Sequence, residues 1–263
     1  MSDEFNDLDV WLDEDDKPSG SSRTRKMNIF FLIDKSGSMR GEKIESVNQV
    51  MPEALKIMAD ISQENKDNAE VVVSALLFSN GTQWMYPTPV SAEDFVWRDQ
   101  KAGGGTDLGM ACRELEKALH RNGPEAQLIS ESGHKNPAII LLSDGEPTDD
   151  YRGGLEMLKK NNWFKSGYKV AIAIGTDANY DELKQFTGTK ELVIGVKDVD
   201  SLKQIIKVVT AVVSRVGSQS TSVNGETGQV NTDEEIIIED IKNEAENIGG
   251  ATIGSLPTDD EFN

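Results

Sequence analysis

The feature that most constrains the fold is an alternation of short apolar runs and helical periodicities through the middle of the chain. Residues 27–33 form a nearly continuous apolar run of strand length, and comparable runs lie at 71–78, 138–142, 169–174 and 192–196. Such runs are typical of strands that a parallel sheet buries on both faces. Apolar residues at helical spacing separate the runs, at 42–62, after the glycines 103–105, and at 149–161, 180–186 and 201–216. The sequence therefore predicts an α/β protein with a doubly wound, mostly parallel central sheet and helices on both faces.

Details within these elements refine the prediction. Pro52 lies inside the first helix and should kink it. The prolines of 82–90 restrict that segment to a short edge strand, because proline cannot donate to a central ladder. The buried face of the helix after the glycines is predicted to carry Met110, Ala111, Leu115, Ala118 and Leu119. Cys112 shares this face, so core packing is favoured over redox chemistry.

The formal net charge of −19 belongs to the two ends of the chain. Residues 1–22 carry eight acids against one lysine, and residues 217–263 carry eleven acids against one lysine, which leaves about −2 for the segment between them. We therefore predict a disordered acidic arm at 1–24, one folded domain at 25–216 and an acidic tail at 217–263, in which 233–248 could form a short helix. Acidic ends argue against nucleic acid and anionic membranes as partners, because both attract basic patches.

Cysteine usage and hydropathy bear on the compartment. Cys112 is the single cysteine of the sequence, which excludes an intramolecular disulfide and a Cys-rich zinc module. No apolar run approaches the roughly 18 to 20 residues of a membrane span, and the first residues lack the basic and apolar regions of a secretory leader. These observations predict a cytoplasmic protein.

Oxygen-bearing side chains lie where two predicted strands end and where one predicted helix begins. The set comprises Asp34, Ser36, Ser38, Thr106 and Asp144. Ligands of a doubly wound sheet bind outside the carboxyl ends of the strands, where the strand order reverses. Hydroxyls and carboxylates without imidazole or thiolate form a hard-oxygen shell, which suits Mg²⁺, Mn²⁺ or Ca²⁺ and is poor for zinc. These five residues are the candidate metal ligands, and Mg²⁺ is the expected cation.

The pattern Asp34-x-Ser36-x-Ser38, followed by Thr106 and by Asp144 before a glycine, resembles the metal-ion-dependent adhesion site of von Willebrand factor A (VWA) domains and integrin inserted domains. The likeness covers residues 27 to about 216. It implies that the two serines and the threonine reach the cation directly or through water, and that the two aspartates complete the shell largely through water. It also implies that a glutamate or aspartate of a partner protein fills the open position. Hydroxyl ligands bring no charge, so the ion would attract such an external carboxylate.

A closer likeness is to bacterial tellurite-resistance-type VWA proteins, through the segments 31–39, 104–106 and 141–149. It implies an adaptor or regulator that is not an enzyme and that works in a bacterial stress-response or signalling assembly. The implied partner is a kinase or a phosphatase. A substrate adaptor for an AAA+ ATPase is an alternative of the same kind, because some VWA proteins have that role.

The catalytic alternatives each lack a part. Asp34 at a strand end resembles the nucleophile of haloacid-dehalogenase-type phosphatases, but those enzymes need a second acid where this chain has Ser36. Serine hydrolysis needs a histidine base, and both His120 and His134 are expected to face solvent. The glycines 103–105 lack the lysine of a phosphate-binding loop. We therefore expect no catalysis, and a metal-dependent phosphoryl-transfer enzyme is kept as the alternative function.

Two further sets of acidic residues allow two interpretations each. Glu146, Asp149 and Asp150 either form a rim that tunes partner choice or lie at a helix N-terminus, where the macrodipole favours acids, and the second is preferred. Asp-Glu-Phe-Asn at 3–6 recurs at 260–263. Each copy is either a coincidence of acidic composition or a docking peptide with Phe as its anchor.

Overall fold

The computed structural model describes residues 24–128, 133–144, 146–176, 178–218 and 232–255. These residues form one sheet and the helices that cover it. The strands are β1 (Arg25–Asp34), β2 (Ala69–Ser79), β3 (Gly81–Trp84), β4 (Val90–Ser91), β5 (Ala138–Ser143), β6 (Tyr168–Ile174), β7 (Val193–Val196) and β8 (Ala251–Ile253). The helices are α1 (Glu42–Glu64), α2 (Leu108–Ala118), α3 (Tyr151–Leu158), α4 (Asn162–Ser166), α5 (Tyr180–Thr187), α6 (Val199–Ser218) and α7 (Asp233–Ala245).

The sheet has the strand order β3-β2-β1-β5-β6-β7-β8, and β4 also pairs with β2. The five strands from β2 to β7 in this order are parallel, whereas β3, β4 and β8 are antiparallel to their neighbours. The predicted fold class, a doubly wound and mostly parallel sheet, is confirmed. The chain leaves β1 towards β2 and later returns to place β5 on the other side of β1, so the strand order reverses between β1 and β5.

Two apolar layers explain why the strand sequences are apolar on both faces. In β1 the side chains of Ile29, Phe31 and Ile33 join the layer under α1, α6 and α7. The alternate side chains Phe30 and Leu32 join the layer under α2, α3 and α5. All five are 0% exposed. The two-residue period of a strand sends neighbours to opposite faces, so a strand between two helical layers must be apolar at every position.

Some sequence predictions need correction. The helix predicted at 149–161 is present as α3 at 151–158 and ends earlier than predicted. Asn161 instead accepts hydrogen bonds from the backbone N–H groups of Trp163 and Phe164 and so begins α4, which was not predicted. Met110 is 43% exposed and does not lie on the buried face of α2, whereas Cys112 is fully buried as predicted. Helix α1 continues through Pro52, and its kink stays a prediction.

The two histidines have different environments. His120 is exposed, as predicted. His134 is half-buried, and its Nδ1 lies 3.1 Å from Oδ1 of Asn28 in β1, so the expectation that it faces solvent is wrong. The ring also contacts Trp163 edge-on, with 6.3 Å between the ring centroids. His134 is therefore part of the packing at the start of the sheet.

The C-terminal segment extends the folded domain beyond residue 216. The helix suggested for 233–248 is present as α7 at 233–245, and its residues Ile237 and Ile241 are buried in the layer that contains α1 and α6. After α7 the chain adds β8 to the edge of β7. The acidic composition of this segment led to the prediction of a tail outside the folded domain. Its apolar residues are buried by packing against α6, and isolated helices of this length are marginal in water.

Some sequence predictions fall on residues outside the described ranges. These include all of the acidic arm predicted at 1–24 except Thr24, and both copies of Asp-Glu-Phe-Asn. None of the helices in the described part of the chain combines the length and the hydropathy that a membrane-spanning helix needs.

Candidate metal centre

The carboxyl ends of β1 and β5 bring two carboxylates to one edge of the sheet. Asp34 is the last residue of β1, and Asp144 directly follows the last residue of β5. The two strands pair in parallel, with Ile33 opposite Leu142. Asp34 is 0% exposed and Asp144 is 4% exposed. Both carboxylates are therefore buried at the point where the strand order reverses.

The Asp34 carboxylate accepts a hydrogen bond on each oxygen. The backbone N–H of Ser36 donates to Oδ1 at 2.7 Å, and the hydroxyl of Ser143 donates to Oδ2 at 2.6 Å. Since one donor belongs to the loop after β1 and the other to β5, the carboxylate fixes the first loop against the neighbouring strand.

The charge state of Asp34 reflects opposing influences. Burial raises the pKa of its carboxyl group above the ordinary value, and the nearby negative charge of Asp144 adds to the rise. The hydrogen bonds from Ser143 and Ser36 stabilise the carboxylate and act in the opposite direction. Two buried acids so close together favour a positive charge between them.

The hydroxyl groups of Ser36 and Ser38 lie side by side. Their Oγ atoms are 2.9 Å apart. Ser36 is buried and Ser38 is exposed, and a 3₁₀ turn at Gly37–Met39 places them on the same side of the loop. The pair therefore presents two neutral oxygen ligands, one in the interior and one at the surface.

The glycine loop that carries Thr106 is hydrogen-bonded to the loop after β1. The N–H of Gly37 donates to the carbonyl oxygen of Gly104 at 2.9 Å, and the N–H of Gly103 donates to the carbonyl oxygen of Lys35 at 2.8 Å. A side chain at Gly37 would come within 3.2 Å of the same carbonyl. The close approach of these two loops therefore favours glycine at position 37, whereas a side chain at Gly104 would meet Asn80 and one at Gly105 would meet Thr148.

Thr106 is also fastened to the loop after β5. The N–H of Thr106 donates to Oγ1 of Thr148 at 2.9 Å, and the N–H of Thr148 donates to the carbonyl oxygen of Thr106 at 2.9 Å. Thr106 is 4% exposed. The three loops that carry the predicted ligands thus form one hydrogen-bonded unit.

The Asp144 carboxylate is only partly satisfied by the protein. Its Oδ1 is buried and has no hydrogen-bond partner among the described residues. Its Oδ2 lies 3.9 Å from Nζ of Lys43, in the first turn of α1. A buried anionic oxygen without a partner is costly, so it indicates that a ligand completes the site.

The donor set fits a hard divalent cation. It consists of hydroxyl and carboxylate oxygens, which Mg²⁺, Mn²⁺ and Ca²⁺ prefer. The described part of the chain contains no group of three or more His, Cys, Asp or Glu side chains that could hold a metal ion by themselves. A cation here would therefore depend on the hydroxyls of Ser36, Ser38 and Thr106. The structure brings all five predicted ligands into adjoining loops, and their coordination of a metal stays a prediction.

Comparison with known proteins decides the family. A family model described as the von Willebrand factor type A domain matches residues 28–208. The chain belongs to this family. This VWA chain is 35% identical over 132 residues to inter-alpha-trypsin inhibitor heavy chain H4 of Homo sapiens, which is 48% of the chain and 13% of that protein. It is 28% identical over 187 residues to the collagen alpha-4(VI) chain of Mus musculus, or 71% of the chain and 7% of that protein. The VWA chain thus spans a small part of the length of these relatives.

Solved structures share the fold of this VWA domain. The pilus adhesin SpaC from Lactobacillus rhamnosus GG, in its open conformation, aligns with a TM-score of 0.55 and 14% identity over 73% of this chain and 31% of that one. Proximal thread matrix protein 1 from the mussel byssus, with a zinc-occupied metal-ion-dependent adhesion site, aligns with a TM-score of 0.52 and 19% identity over 73% and 49% of the two chains. At these identities the likeness concerns the fold.

Sequence analysis of the VWA domain missed the residues that position the candidate ligands. Ser143 orients Asp34, Thr148 holds Thr106, and Lys43 pairs with Asp144. A hydroxyl immediately before a strand-end aspartate was a signal for Ser143. The other two contacts join residues that are distant in the sequence and gave no local signal.

The acids after β5 have structural roles in the VWA domain. Asp149 accepts hydrogen bonds at 2.8 Å from the N–H groups of Gly109 and Met110, in the first turn of α2. Asp150 caps α3 and pairs with Arg113. For Asp149 and Asp150 the preferred interpretation, acids at helix N-termini, therefore agrees with the geometry, although Asp149 lies at the start of α2 rather than of the helix that follows it. For Glu146 this interpretation stays a prediction.

Proposed function

We propose that this VWA domain binds a partner protein through a divalent cation that its own residues hold. Asp34, Ser36, Ser38, Thr106 and Asp144 would supply the protein oxygens of the cation site. A glutamate or aspartate of the partner would complete the shell. The observation that carries the proposal is the buried Oδ1 of Asp144, which has no partner among the described residues. It belongs to the loop after β5, which is hydrogen-bonded through Thr148 and Thr106 to the glycine loop and so to the loop that holds the Ser36 and Ser38 hydroxyls.

The charge balance of the site supports an external carboxylate as the remaining ligand. Two carboxylates neutralise a divalent cation only when both reach it closely, and three of the five candidate ligand residues supply an uncharged hydroxyl. Asp34 is also engaged by donors on both oxygens. The cation would therefore retain positive charge towards solvent, where an acidic side chain of a partner can approach.

We propose Mg²⁺ as the resident cation, because every candidate ligand is a hard oxygen. The mussel protein named above shows that a site of this type can also contain zinc. Mn²⁺ and Ca²⁺ have the same ligand preference as Mg²⁺, so the choice among the three depends on cavity size and ligand number.

The pathway is a further proposal, which depends on the likeness to bacterial tellurite-resistance-type proteins in the three motif segments. In this proposal the chain is a cytoplasmic adaptor or regulator in a stress-response or signalling assembly. Its partner would be a kinase, a phosphatase or an AAA+ ATPase. The proteins named above are an inhibitor heavy chain, a collagen, a pilus adhesin and a thread matrix protein, and none of these names is that of an enzyme.

The first experiment measures cation binding directly. Isothermal titration of the full chain with Mg²⁺, Mn²⁺ and Zn²⁺ should show one site. The double variant Ser36→Ala/Ser38→Ala should bind at least about tenfold more weakly, because it removes two ligands. Ser166→Ala removes an exposed hydroxyl elsewhere and should match wild type. Equal binding by the double variant and wild type would refute the metal centre.

The second experiment tests the partner. Immobilised wild-type chain and the double variant are incubated with extract in the presence of Mg²⁺ or EDTA. We expect a protein that wild type retains in Mg²⁺ and loses in EDTA, and that the double variant does not retain. When the acidic residues of that protein are replaced one at a time by their amides, one replacement should abolish binding. A protein that is retained equally in Mg²⁺ and EDTA, and equally by wild type and the double variant, would contradict a cation-mediated contact.

A further inference from the structure

Lys43 places a positive charge directly beside the candidate metal centre. It is the second residue of α1, and its Nζ lies 3.9 Å from Oδ2 of Asp144. The Lys43 side chain is 29% exposed, and that of Asp144 is 5% exposed. Among the described residues no other cationic side chain forms an ion pair with Asp144. In the part of the chain that the structure describes, the buried carboxylate therefore has one counter-ion, which comes from a helix rather than from the three ligand loops.

An ammonium group and a divalent cation at this carboxylate would repel each other. The repulsion is strong because Asp144 is buried and water screens the two charges poorly. A lysine side chain has a flexible four-carbon stem, so its ammonium group can move away from the cation without disturbing the helix. A cation bound at this carboxylate would therefore favour movement of the Lys43 ammonium group away from Asp144.

The surface next to Lys43 offers a place for the displaced ammonium group. Lys43 lines a cleft of about 420 Å³ between the N-termini of α1 and α6. The floor of the cleft includes the buried apolar residues Ile174, Val196 and Leu202. Its acidic lining residues are Glu42, Asp198 and Asp200, all exposed. These three carboxylates outnumber the ammonium group of Lys197, which also lines the cleft, so they can attract the Lys43 ammonium group at the mouth of the cleft.

We propose that Lys43 is an internal counter-ion that pairs with Asp144 in the cation-free protein and that a bound divalent cation displaces it towards the acidic cleft. Lys43 thereby lowers the affinity of the site for the cation and holds the cation-free site in a stable form. Cation binding also changes the cleft beside the site, because a positive charge moves into it. This inference depends on the metal centre of the proposed function, but it does not depend on any partner.

The test compares cation affinity in matched lysine variants. Titration of the full chain with Mn²⁺ should give a dissociation constant about three- to tenfold smaller for Lys43→Met than for wild type, because the competing charge is gone. Lys43→Arg keeps the charge and should remain near wild type. Lys35→Met removes a lysine from the loop after β1 that forms no ion pair with Asp144, and it should change the constant by less than about twofold. Unchanged or weaker binding by Lys43→Met would overturn the proposal.

Thermal unfolding gives an independent measurement. In EDTA, Lys43→Met should unfold at a lower temperature than wild type, because Asp144 then has no counter-ion. Saturating Mg²⁺ should restore much of this loss, so the rise in Tm caused by Mg²⁺ should be larger in Lys43→Met than in wild type. A smaller rise would overturn the proposal. If Lys43→Met does not fold in EDTA, Lys43→Gln, which keeps a polar tip, serves in its place.

The outcomes separate this inference from the proposed function. A Lys43→Met chain that binds Mn²⁺ more tightly supports the inference even if no partner is ever retained. Partner binding that fails in Lys43→Met at unchanged Mn²⁺ affinity would instead assign Lys43 to the partner contact and refute its role as a counter-ion. A wild-type chain that binds no cation would refute both proposals.

Discussion

The hydroxyl group of Ser143 donates a 2.6 Å hydrogen bond to Oδ2 of Asp34, and these two residues are the last of the neighbouring parallel strands β5 and β1. Both side chains are 0% exposed. The bond joins residues that are 109 positions apart in the sequence. It therefore holds the candidate metal loop of β1 against the strand that delivers Asp144.

Ser143→Ala should weaken both the fold and the site. It leaves a buried carboxylate oxygen without its donor, which typically costs about 1–3 kcal/mol of the free energy of unfolding. The freed carboxylate can rotate, so we expect cation affinity to fall by about tenfold, as is typical when the group that supports a ligand is removed. Urea denaturation in EDTA and Mn²⁺ titration measure the two effects separately.

Ser74→Ala is the matched control for this prediction. Ser74 lies in β2, and its hydroxyl is buried and has no hydrogen-bond partner among the described residues. Its removal should change the free energy of unfolding by less than about 1 kcal/mol and leave cation affinity unchanged. If Ser143→Ala behaves like Ser74→Ala, the bond to Asp34 has no role in the site.

Gly154→Ala should disturb the contact between α2 and α3. A Cβ atom at Gly154 would overlap the carbonyl oxygen of Gly109, and one at Gly109 would overlap the carbonyl group of Asp150. We expect a loss of about 1–3 kcal/mol in the free energy of unfolding, since an overpacked contact forces the backbones apart. Because α2 begins two residues after Thr106, cation affinity should fall as well. Gly249→Ala has open space around its Cβ and should be tolerated, and equal effects of the two variants would contradict this explanation.

Ile241→Ala should show that α7 belongs to the folded domain. Ile241 is 0% exposed and packs in the layer with α6. Loss of its side chain should lower the free energy of unfolding by about 2–5 kcal/mol, as for other buried isoleucines. Ile236 lies in the same helix and is half-buried, so Ile236→Ala should cost about 1 kcal/mol or less. A single unfolding transition is expected for both, and an unchanged midpoint for Ile241→Ala would place α7 outside the cooperative unit.

His134 should make the domain less stable in mild acid. Burial lowers the pKa of its ring below the ordinary value of 6.5, and the positive charge of Arg121 adds to the effect. The unfolded chain therefore binds the proton more tightly than the folded one. The stability that this neutral ring contributes is present above pH 6.5 and is lost as the pH falls through the folded pKa.

The pH dependence of Tm measures this effect. Between about pH 7.5 and pH 5.5 the Tm of wild type should fall more than that of His134→Gln, because the variant has no ring to protonate. The comparison is made in EDTA, which removes any contribution from a bound cation. Parallel decreases in Tm would show that His134 does not contribute to acid sensitivity.

The sheet and the ligand loops could be predicted because their signals are local. The run 27–33 is apolar at nearly every position, which identifies a strand covered on both faces, and Asp34 follows it directly. Since carboxyl ends of parallel strands share one edge of a sheet, Asp34 and Asp144 could be placed together without a structure. The hydroxyls of Ser36 and Ser38 could also be predicted as ligands from the local sequence, because they lie two residues apart in the segment that follows Asp34.

Contacts between distant segments could not be predicted in this way. Nothing in the first turn of α1 indicates that Lys43 reaches Asp144, because the contact depends on how α1 crosses the end of β5. The helix α7 is a similar case, since its isoleucines are buried by packing against α6, which their local sequence pattern does not indicate. Met110 illustrates the opposite error, because helical spacing near a helix start does not establish how far the covering layer extends.

The short antiparallel strands at both edges of the sheet limit how copies of this domain can associate. At one edge β3 has four residues and β4 two, and at the other β8 has three. An edge this short exposes few free N–H and C=O groups, so it is a poor template for joining sheets into fibres. Pairing of edge strands between neighbouring copies is therefore disfavoured even where many copies of this domain lie close together.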